Sequence, residues 1–453
     1  MPNKHQNASK ISRRNFVKFG GAVIAGSTLN IPPLKNAHLS QEETEAKIKE
    51  YRVLGRTGFK VSDISMGTTR MREANVVRYA YDSGINYFDT AESYGNGNSE
   101  KMIGEALQFM DRKKVFITTK LHFEENATKE ELLERFTKCQ ERLKTDYVDA
   151  LYIHSASTVK ILNHTGFHDA VKELKAAGRL KHTGVSNHGP RGDGESMEKV
   201  LCAAAEDGRF DLMLLSYNFM NKEEAEKVLA ACKKNNVGTT AMKTSPGMLA
   251  VSPLDPDNLT KDQQEYLDRI MKRGTSKEKA MARLKRRVNR QLASYENSKT
   301  FVEKHGIKTQ DQLRKTSIHW VASNPDMHTT CVSFSSFDMI DMIVPVSGVK
   351  LSAADQQFLE DYKLVFNAQY CRHGCNNCVS SCPHQLPVST IMRYAYYYEM
   401  QGNEKLAMEK YLKLRDKNAS LCFDCSAPCT ASCPHNLDIP VQLTQAHSLL
   451  TLV

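Results

Sequence analysis

The sequence has no hydrophobic run long enough to cross a bilayer as an ordinary helix. The apolar stretch "FGGAVIAG" near the amino end is short and rich in glycine, whereas a membrane span needs about 20 apolar residues. The main basic run, residues 269–290, lacks the interleaved aromatic residues of a nucleic-acid surface. We therefore expect no stable membrane span in the mature chain and no nucleic-acid partner. The basic run is interpreted as a solvated helix face, and docking of an acidic partner or substrate is the alternative.

Cysteine is scarce over most of the chain and crowded near its end. Eight of the 12 cysteines lie between Cys371 and Cys433. The other four are Cys139, Cys202, Cys232 and Cys331. Such crowding disfavours a scattered disulfide framework, and the four isolated cysteines are interpreted as buried apolar residues. The chain has 453 residues, which is enough for one barrel-sized domain and a small second one.

The amino end carries a candidate export signal. The pattern S-R-R-x-F-x-K is matched at Ser12, Arg13, Arg14, Phe16 and Lys18. It resembles a twin-arginine signal, and a basic disordered leader is the alternative. We expect residues 1–48 to be signal and linker. The protein would then be periplasmic, free or held at the membrane by an uncleaved signal. The twin-arginine route exports folded proteins, which suits a chain whose metal cofactor must be inserted first.

Short apolar runs alternate with helical patterns from residue 49 to residue 365. The runs are "VSDISMGT", "INYFDTA", "KVFITTK", "DALYIHS", "HTGVSNH", "LMLLSYN", "VGTTAMK" and "TTCVSF". Eight such repeats predict an α/β fold, a (β/α)8 TIM barrel. A hairpin, "YRVLGRTGFKVS", precedes the first run, and residues 250–300 are predicted to be an insertion after the seventh. The segment 366–453 is expected to form a second, small domain.

Several polar residues occur where these predicted strands end. Asp89 and Tyr94 follow the second run, Lys120 ends the third and His154 ends the fourth. The C-terminal strand ends form the working face of such barrels. A tyrosine can protonate a carbonyl oxygen when a lysine held by an aspartate lowers its pKa, and a histidine can orient that carbonyl. Taken one at a time, each of these residues has an ordinary structural explanation.

These motifs resemble the aldo/keto reductase family. The segments "YRVLGRTGFKVS", "NYFDTAESYGNGNSEKMIGEAL", "VFITTK", "DYVDALYIHS" and "GRLKHTGVSN" follow its signature regions in order. The resemblance implies a catalytic tetrad of Asp89, Tyr94, Lys120 and His154. It also implies a nicotinamide dinucleotide, NAD or NADP, bound without a G-x-G-x-x-G loop. Ser186 and Asn187 match the residues that hold the carboxamide, and Tyr217 is assigned to the same cofactor site.

The chain also departs from the family pattern at the cofactor side chains. Leu214 replaces the usual glutamine three residues before Tyr217, and Met242 and Lys243 stand where many members have a stacking tyrosine. The eighth run, "CVSFSSFDMIDMI", lacks the usual glycine and arginine, and Ile343 lies near the expected asparagine. These departures favour an alternative in which the barrel no longer turns over and the protein serves electron transfer or binding.

The crowded cysteines form two blocks, each ending in C-x3-C-P. They could form disulfides, bind zinc or bind iron–sulfur clusters. Two [4Fe–4S] clusters are favoured, because each block differs from the ferredoxin run C-x2-C-x2-C-x3-C-P by one residue. The eight candidate ligands are Cys371, Cys375, Cys378, Cys382, Cys422, Cys425, Cys429 and Cys433.

The resemblance to two-cluster ferredoxins also implies how these ligands are shared. The last cysteine of each run then binds the other cluster. One set would be Cys371, Cys375, Cys378 and Cys433, and the other Cys422, Cys425, Cys429 and Cys382. The sequence thus predicts a small α-helical ferredoxin-like domain and an exported oxidoreductase. Its partners would be a small carbonyl or alcohol substrate and a redox protein.

Overall fold

The computed structural model describes residues 46–451 except 70, 193, 248, 250–254, 273 and 400–402. The twin-arginine motif therefore lies outside the described residues. The strands are β1 (Tyr51–Val53), β2 (Lys60–Ser62), β3 (Ile64–Gly67), β4 (Tyr87–Asp89), β5 (Phe116–Leu121), β6 (Val148–Ile153), β7 (Leu180–Asn187), β8 (Leu212–Ser216), β9 (Gly238–Met242) and β10 (Thr329–Ser333). Strands β3 to β10 are parallel and close into one barrel. The eight-stranded barrel predicted from the apolar runs is confirmed.

Helices fill the connections between these strands and follow the last one. The barrel helices are α1 (Ala74–Asp82), α2 (Asn98–Leu107), α3 (Lys129–Leu143), α4 (Val159–Leu162), α5 (Thr165–Ala176), α6 (Met197–Asp207) and α7 (Lys222–Lys234). The later helices are α8 (Lys261–Met271), α9 (Lys277–Lys304), α10 (Asp311–Ala322), α11 (Phe337–Ile343), α12 (Ala353–Phe366), α13 (Val388–Glu399), α14 (Glu404–Leu412) and α15 (Ile439–Leu450). Helix α12 begins with a capping box formed by Ser352 and Asp355.

The predicted hairpin of β1 and β2 closes the amino-terminal end of the barrel. Leu54 and Val61, from the hairpin, pack in the lumen with Phe116 and Leu212. Gly55 has φ +48°, and a Cβ there would lie 2.3 Å from the backbone nitrogen of Gly238. Only glycine fits so close an approach. The hairpin therefore leaves the opposite end, where the strands finish, as the barrel mouth.

Helices α8 and α9 lie in the segment predicted as an insertion. Leu284 and Val288 of α9 are buried against Ile270 of α8, while Lys277 and Lys285 are exposed. The described part of the basic run is thus a solvated face over an apolar stripe. Within the ranges the structure describes, no helix has the length and apolarity of a membrane span.

The segment that joins the two cysteine blocks forms two helices. These are α13 and α14, which pack against each other. The amide of Asn403, just before α14, donates to the carbonyl oxygen of Tyr397 in α13. Packing of the two apolar faces accounts for the turn back between them.

Candidate functional site

The four polar residues predicted at the strand ends meet at the barrel mouth. Asp89 is the last residue of β4, Lys120 lies near the end of β5, and His154 follows β6. Tyr94 lies in the loop between β4 and α2. Parallel strands finish at the same end of a barrel, so neighbouring strands bring these residues together.

Lys120 and Asp89 form a buried ion pair at the base of this site. Lys120 Nζ donates to Asp89 Oδ1 over 2.5 Å and to the carbonyl oxygen of Thr90 over 2.7 Å. Thr118 donates to the second oxygen of Asp89 over 2.8 Å. Burial has the largest single effect and lowers the pKa of Lys120, but the charge of Asp89, the neighbouring Tyr94 and the hydrogen bond to Asp89 together raise that pKa above its ordinary value. Lys120 is therefore a permanently charged ammonium at neutral pH.

Tyr94 lies beside both Lys120 and His154. Lys120 Nζ is 5.1 Å from the centroid of the Tyr94 ring, and the Tyr94 and His154 rings meet edge to face with centroids 5.8 Å apart. Thr69 hydrogen-bonds to the Tyr94 hydroxyl. Burial raises the pKa of Tyr94, and Lys120 lowers it only in part. The net direction is upward, opposite to the shift the sequence led us to expect.

His154 is a buried imidazole at the same mouth. It is 9% exposed, and its Nδ1 has no hydrogen-bond partner among the residues described. Burial, and then the charge of Lys120, lowers the pKa of His154 well below 6.5. The ring is therefore neutral at physiological pH, with one N–H donor.

Ser186 and Asn187, at the end of β7, keep some hydrogen-bonding capacity for a carboxamide. Asn187 Nδ2 donates to the carbonyl oxygen of Ala156 over 2.6 Å, and its Oδ1 accepts from the Gly189 amide. Ser186 Oγ accepts from the Ser155 amide over 2.9 Å. An amide nitrogen has two N–H donors, so one N–H of Asn187 remains. The pair fits a nicotinamide carboxamide.

Tyr217 does not contribute to this site with Ser186 and Asn187. Its ring packs on Trp320, with centroids 5.1 Å apart, and its hydroxyl accepts from Asn324 Nδ2 over 2.7 Å. Both neighbours belong to α10 and the turn after it, in the helical layer outside the strands. Because the hydroxyl faces away from the lumen, we leave Tyr217 out of the proposed cofactor site.

The departures from the family pattern have clear places in the structure. Leu214 and Met242 pack in the lumen, and Ile343 is a buried core residue. Lys243 follows β9 with φ +53°, and its Nζ donates to the Tyr397 hydroxyl over 3.3 Å. The loop after β9 therefore presents a lysine, rather than a tyrosine, at the mouth.

Cys331 of β10 is a site residue that the sequence interpretation missed. Its thiol lies beside Asp89, Lys120 and Ser65. Burial, followed by the charge of Asp89, raises the pKa of Cys331 well above its ordinary value. The thiol is therefore protonated. The sequence could have predicted this location, because Cys331 lies on the eighth predicted strand at a position that faces the lumen.

The segment after α12 covers the barrel mouth. Arg393 of α13 donates to the carbonyl oxygens of His188 and Pro190, each over 2.7 Å. Thr390 donates to Pro190 over 2.9 Å, and the Met197 amide donates to the carbonyl oxygen of Gly374. These bonds hold the cysteine-rich region against the loops that follow β7.

The eight predicted cysteine ligands fall into two groups of four. Cys371 lies near Cys375, Cys378 and Cys433, and these four line one small cavity. The other group consists of Cys422 with its neighbours Cys382, Cys425 and Cys429. Cys378 also lies near Cys429 and Cys382 of the second group. The grouping resembles the two sets that two-cluster ferredoxins imply, and the ligand pairing stays a prediction.

The backbone around these cysteines repeats between the two blocks. Gln385 and Asn436 follow the last cysteines and have φ of +48° and +55°. The next residues, Leu386 and Leu437, are buried and lead into α13 and α15, which pack together. Each C-x3-C-P ending is therefore followed by the same turn and then by a helix.

The described residues contain no ready-made site for a single metal ion. Among the described residues, no three histidine, cysteine or acidic side chains lie close enough to hold one metal ion. Backbone amides donate to sulfur, from Leu386 to Cys382 and from Ala427 to Cys425, each over 3.4 Å. Such bonds are usual around iron–sulfur clusters.

Comparison with known proteins assigns the barrel to a family. Residues 54–362 match the model of the Aldo/keto reductase family. The match covers more than half of the chain, and the protein belongs to this family.

The chain is also similar to individual proteins of known sequence or structure. "Aldo-keto reductase YhdN" of Bacillus subtilis is 29% identical over 209 residues, which are 42% of this chain and 60% of the relative. "D-threo-aldose 1-dehydrogenase" of a Pseudomonas species is 27% identical over 208 residues, 39% of this chain and 61% of the relative. The chain thus spans about three fifths of these relatives. The aldo-keto reductase AKR11C1 from Bacillus halodurans aligns with a TM-score of 0.48 at 18% identity, over 69% of this chain and 95% of its own.

Proposed function

We propose that the protein is an exported oxidoreductase that reduces a carbonyl, or oxidises the corresponding alcohol, at the barrel mouth. Its electrons would pass to or from a partner through two [4Fe–4S] clusters. The observation that carries the proposal is the Lys120–Asp89 pair, 2.5 Å apart, beside Tyr94 and His154. Family membership supports the same chemistry.

Tyr94 is the proposed general acid. In the reducing direction the carbonyl oxygen takes the Tyr94 proton, and the phenolate that forms is stabilised by the Lys120 ammonium. Neutral His154 donates its N–H to the same oxygen and orients it. A nicotinamide, when bound, supplies the hydride, and the spare N–H of Asn187 would hold its carboxamide. In the oxidising direction the same proton returns to Tyr94.

Two features support the iron–sulfur proposal. The first is the grouping of Cys371, Cys375, Cys378 and Cys433 around one cavity. The second is the backbone repeat that gives both blocks the same turn after their last cysteine. Hydride chemistry moves two electrons, so a pair of one-electron clusters would allow exchange with a one-electron partner.

Export remains a proposal from the sequence, carried by Arg13 and Arg14. A protein that acquires its clusters before transport needs a route for folded chains, and the twin-arginine route is one. The mature protein would act in the periplasm and meet its redox partner there.

The test is chemical analysis of the full chain purified from the periplasm. We expect about eight irons and eight sulfides per chain and absorbance at about 400 nm. We also expect binding of NAD or NADP in a titration of the same sample. A colourless protein without iron would contradict the clusters. Absence of nicotinamide binding, with no nucleotide released on denaturation, would contradict the dehydrogenase.

A second function is favoured by the cofactor side chains. Leu214 fills the lumen where the family has a glutamine, and Asn187 already uses part of its amide within the protein. If the barrel binds nicotinamide weakly or not at all, the protein would serve in electron transfer or binding and would not be a dehydrogenase. Iron without nicotinamide binding is the result that would support this alternative.

A further inference from the structure

Four basic side chains lie together where the C-terminal region covers the barrel mouth. Arg191 follows β7, Lys243 follows β9, Arg393 is on α13 and Lys410 is on α14. Lys410 lies near Arg191 and Arg393, and Lys243 lies near Arg393. We call these four residues the basic cluster.

The basic cluster has no acidic partner among the described residues. The charged groups near Lys243, Arg393 and Lys410 include no carboxylate, and Arg191 hydrogen-bonds to a histidine ring nitrogen. Buried Lys120, by contrast, is paired with Asp89. Burial, followed by the charge of Arg393, lowers the pKa of Lys243 well below its ordinary value. Its ammonium is therefore unfavourable without a counter-charge, and a bound anion would stabilise it. The arrangement therefore calls for an anion.

The proposed iron–sulfur clusters do not supply that anion. Cys371 lies near Arg393, so one thiolate could balance part of the Arg393 charge. The charged neighbours of Lys243 and Lys410 include no cysteine within the described ranges. The cysteine thiolates therefore leave Lys243 and Lys410 without a counter-charge.

The basic cluster borders the tetrad. Arg191 and Lys410 lie near His154, and the His154 and His188 rings have centroids 6.3 Å apart. His373, near Lys243 and Arg393, is 2% exposed, and neither ring nitrogen has a hydrogen-bond partner in the described part of the chain. Unsatisfied buried polar groups of this kind point to an unseen ligand.

We propose that the basic cluster binds an anionic group of the substrate, so that the substrate is a carbonyl compound or alcohol that also carries a carboxylate or phosphate. The inference deepens the proposed function and rests on it, because the tetrad must act on the same molecule. The phosphates of a nicotinamide dinucleotide offer the same chemistry and are the alternative source of the anion.

Equilibrium binding tests the proposal without requiring turnover. The probes are 4-oxobutanoate, 5-oxopentanoate and their methyl esters, titrated by calorimetry into the full cluster-loaded protein with NADPH present and absent. We expect at least one acid to bind about tenfold more tightly than its ester, a difference of about 1.4 kcal/mol. Lys243→Met and Lys410→Met should each bring that ratio close to one. Lys405→Met is the control, because Lys405 lies on the same helix as Lys410 but is 86% exposed and pairs with Glu409.

Thermal unfolding gives a second readout that does not depend on activity. The acid should raise the melting temperature of the wild type and of Lys405→Met, but not that of Lys243→Met. The proposal is overturned if no acid binds better than its ester, or if the ratio survives both substitutions. The proposal is also overturned if the substitutions weaken NADPH binding but leave the acid-to-ester affinity ratio unchanged. The basic cluster would then bind the phosphates of the cofactor and not an anionic group of the substrate. Tight acid binding without turnover would uphold the anion site and contradict only the proposed catalysis.

Discussion

Gly189 lies so close to His373 that a Cβ on the glycine would come within 1.6 Å of the His373 carbonyl oxygen. Gly189 belongs to the loop after β7, and His373 lies within the first cysteine block. The same loop accepts hydrogen bonds from Arg393 at His188 and Pro190. The absence of a side chain at residue 189 thus permits the cysteine-rich region to sit directly on the barrel mouth.

We expect Gly189→Ala to loosen this contact. The alanine would clash with backbone and also be strained, because residue 189 has φ +94°. Hydrogen exchange of the amides at residues 186–197 and 370–376 should become faster. Gly192→Ala is the matched control, since Gly192 has φ +56° but nothing within 4 Å of the added Cβ. Equal exchange in the two variants would show that backbone strain alone, and not the close approach, is responsible.

Tyr94→Phe tests the proposed general acid. Removal of the proton donor should lower kcat for carbonyl reduction by about 10²–10⁴-fold, the usual contribution of such a group. KM for NADPH should change little, and absorbance at about 400 nm should persist. Tyr147→Phe is a suitable control, since Tyr147 is half-buried like Tyr94 but contacts Arg112 on the outer surface. Retention of full activity in Tyr94→Phe would contradict the mechanism.

The pH dependence follows from two pKa shifts. Burial raises the pKa of Tyr94 above 10.0, so the acid form persists into the alkaline range. Burial also lowers the pKa of His154 well below 6.5, so the imidazole stays neutral. We expect kcat/KM for carbonyl reduction to be flat from about pH 6.5 to 9 and to fall above about pH 10. An inflection near pH 6.5 that disappears in His154→Gln would contradict the assignment of a neutral histidine.

Affinity for an anionic substrate should weaken above about pH 8. Burial, then the charges of Arg191 and Arg393 and that of Lys413, lowers the pKa of Lys410 to about 8. Deprotonation above this value removes one positive charge from the basic cluster, so the Kd of an oxo acid should rise while that of its ester stays constant. The rise should be absent in Lys410→Met. A Kd independent of pH in the wild type would exclude a contribution from Lys410.

Iron content in double variants tests the sharing of cysteines between clusters. Cys433→Ser should lower iron from about eight to about four atoms per chain. Adding Cys371→Ser should cost nothing further, because both residues belong to one set, whereas adding Cys422→Ser should remove the rest. Cys202→Ser, at a half-buried isolated cysteine, should retain all the iron. If Cys433 and Cys422 instead behave as members of one set, each run binds its own cluster.

Local patterns predicted the barrel and which polar residues meet at its mouth. The eight apolar runs became β3 to β10, because strand periodicity and short length are properties of single segments. Asp89, Lys120 and His154 lie together because they end neighbouring parallel strands, a relation that barrel topology supplies once the strands are known. Tyr217 was assigned by its place in the family pattern, and its hydroxyl is instead engaged by Asn324 outside the lumen.

The sequence by itself determined the barrel, the tetrad and the two thiol-rich runs, because each depends on spacing over a few residues. Only the tertiary structure decided which cysteines share a cavity, that Cys331 lies beside Lys120, and that Lys243 lies near Arg393. These pairs are distant in the chain, and no local pattern links them. Packing of the cysteine-rich region on the barrel mouth brings these residues together. The same packing places Lys243, Arg393 and Lys410 near one another without a carboxylate, which is the basis for inferring an anionic substrate.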